Sequence, residues 1–156
     1  MQAKQTAKKN ILMIKQISKY LFFCLLILLL TKCNYRTSSQ ERFSNILDIA
    51  IPKDAEILKD EYQDMWQDFS IVYELKLTMG QMSNLTQSVR KSGFYNPTAF
   101  VTDFVNEDMY VEKGDKRAVW ARTKSGYIFQ NEFGRDIYSA KIDTINRVAE
   151  FNEFHD

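Results

Sequence analysis

The sequence predicts an α+β fold: an antiparallel sheet meander with one main helix, about Met79–Ser92, packed on one face and preceded by an N-terminal signal helix and tether. Three observations carry this expectation. Phe69, Ile71, Tyr73, Leu75 and Leu77 alternate with Ser70, Val72, Glu74 and Lys76, the period-two pattern of a strand with one face on a core and the other in water. Thr78-Met-Gly-Gln81 directly follows, and a hydroxyl with Gln three residues later is the capping-box start of a helix. From Lys116 onward, short β-rich runs recur between turn signals.

In chain order, the first stretch is basic, then apolar, then polar. Lys4, Lys8, Lys9, Lys15 and Lys19 precede the apolar run Tyr20–Thr31, Cys33 follows Lys32, and no acid precedes Glu41. This is the layout of a secretory signal. As a helix the run covers about 18 Å, against a bilayer core of about 30 Å. Extended back to Ile11, the run reads alternatively as an uncleaved membrane anchor, strained by Lys15 and Lys19 inside the segment. Leu30-Thr31-Lys32-Cys33 resembles the lipobox of bacterial lipoproteins, with Lys32 standing where that family has a small residue. The resemblance implies removal of residues 1–32 and acylation of Cys33. It further implies a membrane-anchored protein of the bacterial cell envelope, on its periplasmic or surface side. Acyl chains such as palmitate would supply the anchor, since two or more chains hold stably where one does not. Cys24, inside the apolar run, reads as a greasy residue of the signal.

Residues 33–42 read as a polar tether and 43–156 as a single α+β domain. Phe43–Ile51, closed by Pro52, suits a short helix or a strand. Ala55–Tyr62 reads as the first strand, with Ile57 and Leu58 buried and Gln63–Gln67 as its turn. Met79, Met82, Leu85 and Val89 mark the buried stripe of the main helix, ended by Gly93. Asn96-Pro97 signals a turn, and Thr98–Val105 reads as a structured loop or short helix. The meander strands are Ala118–Arg122, Tyr127–Asn131, Asp136–Ile142 and Arg147–Phe151.

Charge narrows the function classes. Of 21 Lys and Arg, six lie at or before Lys32, so the mature part carries 21 − 6 = 15 bases against 20 acids, a net charge of −5. Such a domain has little electrostatic reason to bind nucleic acid. It holds no cysteine beyond Cys33, so packing must stabilise it without disulfides, and no thiol metal site is expected. No cofactor is implied: the five glycines are scattered singly and form no phosphate loop.

Candidate chemistry is sparse. The only histidine, His155, is next to last, where fraying is the default, and no catalytic set is assigned. The acids Asp54, Glu56, Asp60, Glu61, Asp64 and Asp68 read as a solvated edge that discourages strand addition. An envelope hydrolase built on them is the enzymatic alternative, and an immunity or inhibitor lipoprotein is a further one. Trp66, Tyr95, Trp120 and Tyr127 are the candidate surface for a ligand or partner, the alternative being that they are core. The preferred expectation is a tethered, non-enzymatic domain that binds an envelope protein or a small ligand.

Overall fold

Helix α1 (Ser39–Ile46) opens the described part of the molecule, with Ser38 capping it by accepting the N–H of Glu41. The computed structural model describes residues 37–66, 68–102, 104–132 and 134–155. The signal segment, Cys33 and the first part of the tether lie outside these residues. The tether reading does not hold for its last residues: Ser39–Arg42 are helical, and Ser39 is buried with its hydroxyl donating to Asp60 at 2.6 Å. Phe43 and Leu47, four apart on one face, are fully buried and give this polar segment its place on the core.

Strands β1 (Glu56–Met65) and β2 (Asp68–Lys76) form an antiparallel hairpin. Helix α2 (Met79–Lys91) begins on the capping box, with Thr78 and Gln81 each accepting the other's N–H. It leads to β3 (Tyr95–Phe100) at the far side of the sheet, and a single 3₁₀ turn (Glu107–Met109) and β4 (Val111–Lys113) follow. The chain then runs through β5 (Lys116–Arg122), β6 (Gly126–Asn131), β7 (Asp136–Asp143) and β8 (Val148–His155) as an antiparallel meander.

The eight strands make one mixed sheet in the order β1-β2-β8-β7-β6-β5-β3, with β4 also on β5. The fold is α+β; among the described residues the expected main helix, α2, is joined by the shorter α1. The single parallel pair, β3 beside β5, departs from the expected all-antiparallel sheet. It follows from α2 carrying the chain across the sheet before β3 is laid down.

One face of the sheet holds the main core. Ile71, Tyr73 and Leu75 of β2, Phe151 of β8, Ala140 and Ile142 of β7, and Trp120 of β5 pack beneath Phe43 and Leu47 of α1 and Met82, Leu85 and Val89 of α2. Met79 does not belong to that stripe. As the first helical residue it lies outside the packed part of the helix and is largely exposed. On the opposite face, Val119 and Ala121 meet Ala99 and Val101 in a small second cluster, with Val105, Met109 and Tyr110 packed against it. β5 is therefore buried on both faces.

Other expectations change in the fold. The turn at Asn96-Pro97 and the helix over Thr98–Val105 are replaced by β3. Pro97 is tolerated there because β3 is an edge strand with an irregular register between Tyr95 and Phe100. Gln63–Met65 extend β1 instead of forming its turn. Ile57 and Leu58 are exposed, because β1 is the sheet's other edge and neither helix covers them. Gly93 has no left-handed backbone; it donates its N–H to Asp48 at 2.7 Å and closely approaches the Lys113 side chain. β8 runs on to His155.

Candidate functional site

The four candidate aromatics separate in space. Trp120 is fully buried, and its indole N–H donates to the Leu47 carbonyl at 2.9 Å, closing the end of α1. The reason is β5's cover on both faces, which removes Trp120 from any ligand surface. Trp66 is fully exposed at the β1–β2 turn, at the opposite edge of the sheet from β5. Tyr95 and Tyr127 do meet, edge to face, at 6.2 Å between ring centroids. Tyr127 is buried, and it forms part of the wall of an open cleft.

This cleft, about 420 Å³, lies where α2 passes the β5–β6 turn. Three elements bring a cation to it: Arg90 from the last turn of α2, Arg122 from the end of β5, and Lys124 from the turn itself. The position of Arg90 suits the negative end of the helix dipole. Its Nε donates to the Tyr127 hydroxyl at 2.7 Å, and its guanidinium stands 5.9 Å from the centroid of that ring. The hydrogen bond to Tyr127 raises the pKa of Arg90 above its ordinary value. Arg122 donates from Nη2 to the Pro97 carbonyl at 3.3 Å. Among the described residues, no carboxylate lines the cleft and none pairs with these three cations.

Hydroxyls complete the lining. Thr123 Oγ1 accepts the N–H of Gly126 at 3.0 Å, which leaves its own proton free to donate. Thr144 donates to the Ser125 carbonyl and Thr86 to that of Ser83. Phe100, half exposed, is the one ring lying open at the cleft's rim. Gly126 lets the start of β6 lie close against β7: a Cβ there would clash with the Ile142 carbonyl oxygen.

Arg90, Arg122 and Lys124 are absent from the sequence reading, although two signals point to them. Thr86 and Arg90 are four apart on one helix face, and Arg122-Thr-Lys-Ser-Gly126 alternates base and hydroxyl through a single turn.

A second polar constellation sits under the N-terminal helix. Glu153 of β8 has a fully buried side chain, and Arg42 of α1 donates to both of its carboxylate oxygens. The Tyr138 hydroxyl donates to the same group at 3.3 Å. Burial first, and then the charge of Glu153, push the Tyr138 phenol well above its ordinary pKa. Beside this network His155 pairs with Asp136 through Nδ1 and stacks on Phe69 at 5.2 Å. His155 is therefore docked rather than frayed. These contacts are mutual, so they read as a packed joint between α1 and the sheet.

The acids of β1 alternate between the two sheet faces. Asp60 reaches Ser39, while Glu61, one residue on, pairs with Lys59 at 3.2 Å. Among the described residues no group of His, Cys, Asp and Glu could hold a metal ion. No described helix is long and apolar enough to cross a membrane. No protein-family model, no curated protein and no solved structure matches the chain.

Proposed function

We propose that the chain is a lipoprotein of the bacterial cell envelope, held at a membrane through acylated Cys33, and that its α+β domain works by binding rather than catalysis. The anchor is supported by the order of five lysines, apolar run and Cys33. From Cys33 to the first helical residue, Ser39, is six residues, so the domain would start within about 20 Å of the lipid-bearing cysteine.

The binding role rests on the cleft between α2 and the β5–β6 turn. Its polar groups are guanidinium, ammonium and hydroxyl. Arginine stays charged at every physiological pH and offers a fixed fork of donors. Such groups orient and hold a ligand.

Metabolic labelling with a fatty-acid analogue tests the anchor. The wild-type chain is expected to carry label and sediment with membranes, and Cys33→Ser to lose both. A Cys33→Ser chain that still sediments with membranes, unlabelled and at full length, would overturn the lipoprotein reading.

A further inference from the structure

We infer that the cleft between α2 and the β5–β6 turn is a binding site for a phosphate group borne by an organic molecule. This deepens the binding role proposed above and does not depend on the lipid anchor. The first reason is charge placement. The sequence from Cys33 onward is acidic, yet Arg90, Arg122 and Lys124 gather at one concavity that, among the described residues, no carboxylate lines. Like charges held together repel, and an anion between them relieves that repulsion.

The second reason is preorganisation. Arg90 is oriented by its bond to the Tyr127 hydroxyl and by the ring beneath it, which leaves its two Nη groups to serve a ligand. Tyr127 is itself held by burial and by Tyr95. Arg122 is steadied by the Pro97 carbonyl, and the Thr123 hydroxyl is turned by the Gly126 N–H. A ligand meeting donors already in place loses less of its binding energy to ordering them.

The third reason is shape. The donors come from a helix, a strand end and a turn, and so approach from different directions. A planar carboxylate is matched by one arginine fork, whereas a tetrahedral phosphate accepts hydrogen bonds from several sides. The exposed ring of Phe100 at the rim provides an apolar contact for the remainder of the molecule. The phosphate could belong to a soluble ester or to a lipid headgroup.

NMR on the ¹⁵N-labelled full chain in uncharged maltoside micelles tests this. Inorganic phosphate and acetate are titrated separately at constant ionic strength, following the Nε–H signals of Arg90 and Arg122 and the amide of Gly126. Phosphate should shift these signals saturably while acetate does not. The Arg122→Gln/Lys124→Gln double variant should bind about tenfold or more weakly, as expected on losing charge-assisted hydrogen bonds. Unchanged signals from β1 and β2 would show that the variant is folded.

Saturation by phosphate alone would favour a soluble ester. Shifts seen only when the micelles are doped with phosphatidylglycerol, and lost in the double variant, would assign the phosphate to a lipid headgroup. The site is overturned if neither probe saturates, if acetate matches phosphate, or if the double variant responds like the wild type. Loss of label at Cys33 bears on none of these readings, so the two proposals fail separately.

Discussion

Glu153 shows how a residue that looks ordinary in the sequence acquires a structural task. Its carboxylate is buried on the core face of the sheet, one position beyond Phe151 in the inward-facing set of β8. A buried charge is tolerated only when paired and hydrogen-bonded, and Arg42 with Tyr138 provides both. Removing one partner strands the other. Arg42→Ala is therefore expected to lower unfolding free energy by about 3 kcal/mol. Adding Glu153→Gln to it should recover part of that loss, because no charge is then left buried; urea denaturation of the single and double variants checks both. Asp143 carries a pH-dependent contribution instead. The backbone N–H of Asn146, then its side-chain amide, hold the Asp143 carboxyl below the usual range. A lowered folded-state pKa contributes stability above the ordinary aspartate value near 4, and that contribution is lost as pH falls through the lower folded-state value. Asp143→Asn should thus melt earlier than wild type at neutral pH, with the gap closing in acid, as thermal melts across that range would show.

At the level of elements, the most legible pieces were those whose local chemistry and burial agree. β2 alternates and buries Ile71, Tyr73 and Leu75 as expected, with Phe69 only partly covered; α2 begins at Thr78 with both hydrogen bonds of its capping box in place. β3 was illegible because its pairing is remote: Tyr95 and Phe100 are matched to Trp120 and Arg122, more than twenty residues away, and the local signal of Asn96-Pro97 says turn. α1 was half legible for a similar reason. Its polar first turn resembles a tether until Ser39 finds Asp60 and Arg42 finds Glu153, both supplied by later strands. The start of β6 depends on the close approach of Gly126 to the backbone of β7. Gly126→Ala would force a methyl group against the Ile142 carbonyl. We expect it to cost about 3 kcal/mol, the upper end for overpacking, and to distort the adjacent cleft, as denaturation and phosphate titration would report.

For the whole molecule, the decisive fact is that the last strand lies inside the sheet. β8 sits between β2 and β7, so the C-terminal residues join the N-terminal hairpin to the meander. Deleting residues 148–156 would remove Phe151 from the core and leave two unpaired edges, β2 and β7. The truncated chain is expected to lose cooperative unfolding by circular dichroism and to aggregate through those edges. The same topology creates the cleft. α2 crosses from the β2 side to the β5 side, and its last turn brings Arg90 to Arg122 and Lys124, residues more than thirty positions away in the chain.

By itself the sequence determined the α+β class, the strand and the capped helix between Phe69 and Lys91, the segments of the meander and the acidic balance from Cys33 onward. Each is set by local periodicity, capping chemistry or simple counting. Tertiary structure alone decided that Trp120 is core while Tyr127 borders a cleft, that His155 is docked, and that three scattered cations share one site. Those outcomes depend on which strands become neighbours. That choice is made by burial summed over the whole sheet, which no local window of residues contains.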